Sequence, residues 1–422
     1  MPAKRDVFIT GVGVVSALGN SFSDFSRAIY AGESGIRQLT GSVGQNLEIG
    51  FGGELINFDG RDYVRPRKAL KVMARELQTA YATAMMAMQQ ANLEPHSYPA
   101  DRLGTIFGSE MMSGEPEELA DAMIDCGVRS NAPRVADFGE SAMKMMFPLW
   151  MLKYLPNMAA CHVGIALGAL GPNNSLVLGD TSAAAALVES ANVLERGWAD
   201  CIISGAAGTK ISPTRLMYRS DVQVPSRRNP IETSSRPMAV DRDGIVGGEG
   251  AACFVVESAV NALQRGGRPL AQLSGTAIRF VSSGHSDDHL QKAIFLAVTA
   301  ALEEAGIDRS AVGLVISHAM GHPRIDQAEA MAIHQFFGDR VPVFAPISYL
   351  GHTGAASGAM GIAAALMALE TKVIPSTLNA EHRDPKCPVN LTTGTQTLST
   401  SHVLVLSHTA QGHVVALIFN AV

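Results

Sequence analysis

Two short stretches carry the residues best placed to do chemistry. One reads Gly179-Asp180-Thr181-Ser182 and runs on as AAAALVESANVLERG; the other reads Gly351-His352-Thr353-Gly354 and runs on as AASGAMGIAAALMALETK. Each is a glycine turn, one polar residue, a threonine, a small residue and then a small-residue helix of similar length. A residue at the start of a buried helix sits beside unpaired backbone N–H groups and the positive end of the helix dipole. A carboxylate gains about 1 kcal/mol there as an N-cap, so the bland reading of Asp180 is a structural cap. The sharper reading is a charged or ligating group in a pocket. If an internal two-fold relates the stretches, Asp180 and His352 occupy equivalent helix starts and converge on one site.

The elements that must position them repeat as well. DVFITGVGVV near the start and PLAQLSGTAIRF over 269–280 both read as strands. A long helix follows each, over 68–92 and 286–305, with apolar residues at helical spacing. Next come the apolar strands RLGTIFGSE and VGLVISHAM, and DCIISGAAG reads as a buried strand after the first small-residue helix. Strands alternating with helices argue for a layered α/β architecture. Charge and glycine interrupt the pattern at SAVNALQRGGRP, which sets the expected halves at 1–260 and 261–422.

Bulk composition narrows the class. The 422 residues are 47% apolar and 17% charged, ample for one large body or two packed halves. Gly 41 against 6% aromatic residues points to tight turns and close helix packing rather than a β-sandwich. A net charge of −6 with no basic run argues against nucleic acid as a partner. MPAKRDVFITGVGVVSALG mixes β-branched residues with glycine, which favours a first strand over a signal peptide. No uninterrupted apolar run reaches membrane-spanning length, so a soluble cytoplasmic protein is expected. Cys126, Cys161, Cys201, Cys253 and Cys387 show no CxxC spacing, which leaves neither a disulfide framework nor a zinc knuckle.

Several segments together resemble the β-ketoacyl-ACP synthases, the ketosynthases of the thiolase superfamily that elongate fatty acids and polyketides. VFITGVGVVSALG resembles the family's opening strand. SRPMAVDRDGIVGGEGAACFVVE, over 235–257, is similar to its S-R-P-F-D-x-x-R-D-G-F-V-x-G-E-G-A signature. LPNMAACHVGIALGALGPNNS resembles the approach to the nucleophile turn, and AEAMAIHQFFG and GHTGAASGAMGIAAAL resemble downstream segments. The resemblance covers nearly the whole chain. It implies a five-layer α-β-α-β-α thiolase-like fold, duplicated halves with pseudo-two-fold symmetry, and a dimer.

The resemblance also marks a departure at the catalytic parts. The family's nucleophilic cysteine lies nine residues after the Gly of its G-P pair and seventeen before the Gly of R-G-x-A-D. Counted from Gly171 and back from Gly197, both rulers land on Asp180. A carboxylate is a poor nucleophile toward a thioester and would give a labile anhydride. His318 matches the first His of H-G-T-x-T-P, and His352 the His of the G-H motif; in the family these stabilise an enolate. The two threonines of that motif, which bind the pantetheine arm, are Met320 and His322, and the lysine five residues before the second His is Ile347. The G-F-G-G-T-N loop becomes Thr409-Ala410-Gln411-Gly412-His413-Val414. Asp326 and Glu329 stand where the family has its D-x-A-E pair.

Each candidate has a plainer alternative. His318 and His352 read first as satisfied polar groups, hydrogen-bonded to Asp180 or Glu329 and raised in pKa by the carboxylate. The trio Asp180, His318 and His352 also has the donor types of a two-His-one-carboxylate metal site, with His322, His408 and His413 nearby. Structural histidines are commoner, so no metal and no cofactor are assigned. Cys161 reads as a core residue, and Ser182 as a hydroxyl bonded back to its own turn. Arg227, Arg228 and Arg236 are candidate contacts for a carrier protein.

The expected function is a non-condensing ketosynthase-like subunit resembling a chain-length factor. Its expected partners are an acyl carrier protein and a cognate active ketosynthase, or a second copy of itself. One alternative is an enzyme with redirected acyl-thioester chemistry (hydrolysis, decarboxylation or metal-assisted) built on Asp180, His318 and His352. Another is a non-catalytic homodimer that binds an acyl chain or carrier protein.

Overall fold

The structure is a computed structural model that describes residues 6–41, 50–94, 96–130, 132–217, 225–284 and 288–422. Its centre is a sheet of eleven strands. The first half of the chain supplies β1 (Val7–Ser16), helix α1 (Arg75–Gln90), β2 (Leu103–Ser109), helix α2 (Met158–Leu167) and β3 (Asn173–Val177). It continues with helix α3 (Ser182–Glu195), β4 (Cys201–Thr209) and β5 (Glu249–Ser258). The second half supplies β6 (Ala271–Phe280), α4 (His289–Ala305), β7 (Val312–Ile316), α5 (Pro323–Phe337) and β8 (Pro342–Phe344). It ends with the short helix α6 (Ile347–Leu350), α7 (Ser357–Thr371), β9 (Asn390–Leu391), β10 (His402–His408) and β11 (His413–Asn420).

The strand order is β9-β8-β7-β10-β11-β6-β1-β5-β4-β2-β3. Apart from the edge strand β9, it divides into β3-β2-β4-β5-β1 and β8-β7-β10-β11-β6, which have the same sequence-order permutation. The directions match too: β2 is parallel to β3 and β4, β7 is parallel to β8 and β10, and the remaining pairs in each half are antiparallel. The halves join through three residues, Val7–Ile9 of β1 against Ala271–Leu273 of β6. The duplication expected from the short repeat is therefore present in the topology.

Helices fill both outer faces and the middle. One apolar cluster packs α1 and α2 on the outer face of the first half, and another packs α4 and α5 on the outer face of the second. The largest cluster lies between, where α3 and α7 are sandwiched by both half-sheets. The result is the five-layer α-β-α-β-α arrangement. Small residues make the middle layer possible: a Cβ on Gly358 of α7 would sit 3.4 Å from the Ala184 Cβ of α3, so the two helices touch near their starts. The stretch Gly354–Thr371 is apolar and long enough to cross a membrane, but 89% of it is buried inside the protein. It is a core helix.

Two local readings need correction. The first long helix does not run over 68–92: a 3-10 turn ends at Val72, Met73 and Ala74 are extended, and α1 starts at Arg75. The second begins at His289 rather than 286; residues 286 and 287 lie outside the described residues. Between the halves, residues 259–264 form a short helix capped by Ser258.

Candidate functional site

Asp180 sits in a 3-10 turn, Gly179–Thr181, that leads into α3. Gly179 adopts φ +64°, the left-handed region that glycine enters without strain, and Ser182 Oγ accepts a bond from Leu178 N at 2.9 Å and donates to Gly179 O at 2.6 Å. The matching turn ahead of α7 is Gly354–Ala356, with Gly354 at φ +61° and Ser357 Oγ accepting from Thr353 N at 3.0 Å. The structural repeat is therefore Gly-x-x-Ser, and the partner of Asp180 is Ala355. The expectation that Asp180 and His352 occupy equivalent helix starts is corrected by three residues. Recurrent glycines in the second motif offered a false register.

His352 reaches the site by a different route. It follows Gly351 (φ +70°) and is clamped as a one-residue bridge to the signature segment, with His352 N bonded to Val246 O at 2.8 Å and Gly248 N to His352 O at 2.9 Å. A Cβ on Gly351 would sit 2.5 Å from Gly247 O, and one on Gly248 2.3 Å from Leu350 O. The paired glycines of the signature thus let two backbones touch and carry His352 to the start of α3. His352 Nε2 lies 3.4 Å from Asp180 Oδ2.

His318 comes from the loop after β7, which α5 holds from below. Glu329 accepts bonds from Ser317 Oγ (3.0 Å), His318 N (2.8 Å) and His408 Nε2 (3.2 Å) and is fully buried. Asp326, one turn earlier on the same helix face, accepts from Met320 N, Gly321 N and Met238 N. Arg242 bridges Asp326 and Asp384, at 3.6 and 2.6 Å. The two carboxylates therefore position a loop. The His318 ring lies edge-on to those of His352 and His408, with centroids 5.8 and 4.8 Å away.

The electrostatics follow from burial and these neighbours. Burial works against ionisation of Asp180, but the charge and hydrogen bonding of His352, then Lys210 and His318, outweigh it and hold the carboxyl below its usual range. His318 is pushed well down by burial, then by His408 and His352, with Asp180 only a partial offset. A raised His318 was the expectation; burial reverses it. The cap reading of Asp180 is also corrected, because Thr181 holds the N-cap position of α3 and the Asp180 carboxylate faces His352. Among the described residues, Asp180, His318 and His352 each offer one ligand atom, all within 4.8 Å of one another.

The other sequence candidates divide. Met320 and Ile347 pack together with Ile245 in a small buried apolar cluster, and His322 caps α5 by accepting from Ile325 N at Nδ1 (3.3 Å). Thr409 packs against Gly179, while Ala410 and Gln411 are exposed beside it. His413 Nδ1 is 2.8 Å from Thr181 Oγ1, and Ser407 Oγ donates to Asp180 O at 3.0 Å, so the C-terminal loop covers the Asp180 turn. Arg236 is buried and spent on Asp243 and the 233–241 backbone, which removes it as a docking residue. Cys161 is half-buried on α2, and burial pushes the Cys253 and Cys387 thiols up to about 12. Sequence reasoning missed Lys210 and Glu110, an ion pair at 2.7 Å that packs on Gly354. Nothing in their spacing of a hundred residues announces it.

Residues 4–262 match the family described as "Beta-ketoacyl synthase, N-terminal domain", and residues 270–381 match "Beta-ketoacyl synthase, C-terminal domain". The chain belongs to the beta-ketoacyl synthase family. This ketosynthase-family chain is 30% identical to 3-oxoacyl-(acyl-carrier-protein) synthase 2 of Staphylococcus aureus (strain COL) over 430 residues, covering 99% of each. It is 27% identical to the Synechocystis sp. protein of the same name, covering 99% of this chain and 98% of that one. Among solved structures it is similar to a beta-ketoacyl synthase from Burkholderia phymatum STM815 (TM-score 0.85, 25% identity, 99% and 100% coverage). It also shares the fold of the ishigamide ketosynthase/chain length factor (TM-score 0.83, 23% identity, 100% of both chains).

Proposed function

We propose that this chain is a non-condensing ketosynthase homologue that acts as a chain-length-factor-like partner of an active ketosynthase. The observation that carries the reading is Asp180 itself. It stands on the turn where the two sequence rulers place the family's cysteine, and its carboxylate, held ionised, faces His352 at 3.4 Å. An ionised carboxylate cannot form the durable thioester that chain extension requires. Loss of the thiol-arm threonines and the lysine agrees with this, since Met320 and Ile347 now close an apolar cluster.

An exposed sheet edge supports pairing with a partner. Strand β3 is one of the two edge strands of the sheet, and Ile165, Leu170, Val177 and Leu178 around it are between 38% and 78% exposed. An edge of unpaired N–H and C=O groups flanked by apolar side chains fits pairing with another chain. Two proteins that share the fold are a ketosynthase/chain length factor and a ketosynthase in complex with its acyl-carrier protein. The proposed partners are accordingly an acyl carrier protein and either a cognate ketosynthase or a second copy, in the cytoplasm.

The Asp180–His352 pair supports a second reading, in which it activates water against an acyl thioester. Decarboxylation fits less well, because the Asp180 anion repels a malonyl carboxylate and its enolate. The test is to assay the protein alone and with a co-encoded ketosynthase on malonyl- and acyl-loaded carrier protein, following products and CO₂ by mass spectrometry. A silent lone protein and a pair whose chain length shifts with mutations here support the proposal. Turnover by the lone protein that is lost in Asp180→Ala overturns it.

A further inference from the structure

Two buried ring nitrogens at the site are under-satisfied. His318 Nε2 makes no hydrogen bond within the protein, and the one polar contact of His352 Nε2 here is Asp180 Oδ2 at 3.4 Å, although the residues are only 2% and 4% exposed. A buried polar nitrogen is ordinarily paired, and an orphan calls for a physical reason. Both rings converge on one carboxylate. Asp180 differs from them in being about one-fifth exposed, so the cluster has two buried walls and one side open to solvent. The remaining charged neighbour, Lys210, is ion-paired with Glu110 at 2.7 Å.

We propose that Asp180, His318 and His352 bind one divalent metal ion of the zinc class through the Asp180 carboxylate and the two Nε2 atoms. The donor set selects the metal: two imidazoles and one carboxylate suit zinc, cobalt or iron, whereas calcium and magnesium require oxygen shells. The geometry is close. Zinc bonds of about 2.0–2.2 Å place tetrahedral ligand atoms about 3.3–3.5 Å apart. The Asp180–His352 pair is already 3.4 Å apart, and all three atoms fall within 4.8 Å, so a shift of about 1 Å by the exposed-side carboxylate closes the set. Three protein ligands with an open fourth position leave room for water, the arrangement of a reactive rather than a structural site. The sequence alone assigned no metal; the convergence of the three atoms changes that.

The test uses the untagged full chain, stripped with a chelator and titrated with Co²⁺, followed by its visible d–d absorption and by competition with Zn²⁺. The expected result is saturation at one equivalent per chain, with affinity reduced at least tenfold in Asp180→Asn and in His352→Ala. His334→Ala, on the exposed face of α5, leaves binding unchanged. Circular dichroism checks folding; if His352→Ala misfolds, Asp180→Asn alone decides, since its site is partly exposed and the change keeps the side chain's size. A Zn²⁺-induced rise in melting temperature that disappears in Asp180→Asn gives a second readout. No saturable equivalent, or an affinity that Asp180→Asn does not move, overturns the proposal. Neither readout involves a partner ketosynthase or turnover, so failure here leaves the proposed subunit role standing, and the reverse holds.

Discussion

Asp180 and His352 meet across 3.4 Å from positions that the internal symmetry does not relate, since the structural counterpart of Asp180 is Ala355. One half contributes a residue two positions before the first residue of α3, and the other a residue five positions before the first residue of α7. The two arrive together because α3 and α7 touch at their N-terminal ends, where Gly358 lies against Ala184.

Asp180→Cys restores a thiol beside His352 without altering the turn. The expected outcome is rapid alkylation at residue 180 and a mass increase on incubation with acyl-loaded carrier protein, read by intact-protein mass spectrometry. Cys253 and Cys387, pushed up to about 12 by burial, stay unlabelled on that timescale. Chain extension stays low because Met320 and Ile347 are unchanged. Failure of residue 180 to label selectively would show that the turn does not present a nucleophile to the site.

Glu329→Ala removes the acceptor of three buried donors, Ser317 Oγ, His318 N and His408 Nε2. Breaking a buried charged network by deleting one member costs about 3–5 kcal/mol, and urea unfolding is expected to show a loss of that order. A loss below about 1 kcal/mol would mean the loop carrying His318 is held by other contacts.

Gly351→Ala places a Cβ 2.5 Å from Gly247 O at a φ of +70°. A destabilisation of about 2–4 kcal/mol is expected, from the forbidden conformation and the forced separation of two backbones. Gly394→Ala, where a Cβ meets nothing within 4 Å, is the control and changes stability by less than about 0.5 kcal/mol. Equal effects of the two substitutions would remove the clamp on His352 from the account.

Glu76 sets a pH dependence. Its carboxyl is pushed up to about 7, first by burial and then by Glu110, Glu249 and Glu115. A folded-state pKa above the unfolded value means the folded chain binds the extra proton. Stability therefore falls as pH rises through the window from about 4.5 to about 7, and the penalty is full above it. Glu76→Gln is expected to flatten that window and to gain about 1–3 kcal/mol at pH 8, measured by urea unfolding across pH. An unchanged pH profile would show that Glu76 ionises freely.

Much of this protein was legible in the residues themselves. Strand and helix periods over 7–16, 103–109, 201–209 and 271–280 follow from side-chain alternation and apolar runs, which are local properties. The duplication was visible because both small-residue helices must fit one crowded middle layer, and only Ala, Gly and Ser allow that approach. Counting from Gly171 and Gly197 picked out Asp180, since turn geometry fixes such spacings along the chain.

Tertiary structure alone decided how the parts meet. The register between the two turns depends on which glycine takes a left-handed φ and which serine accepts the N–H four residues back, and Gly351 and Gly354 are equally plausible in sequence. Asp180 is not the cap because its carboxylate turns toward His352, a residue 172 positions away. His318 is lowered rather than raised because desolvation and two neighbouring rings outweigh one carboxylate. Glu110 against Lys210, and His408 against Glu329, are pairings across distances that no periodicity encodes. Local residue types determined which elements form; the electrostatic character of the site arose only when burial and long-range neighbours were set by the packed fold.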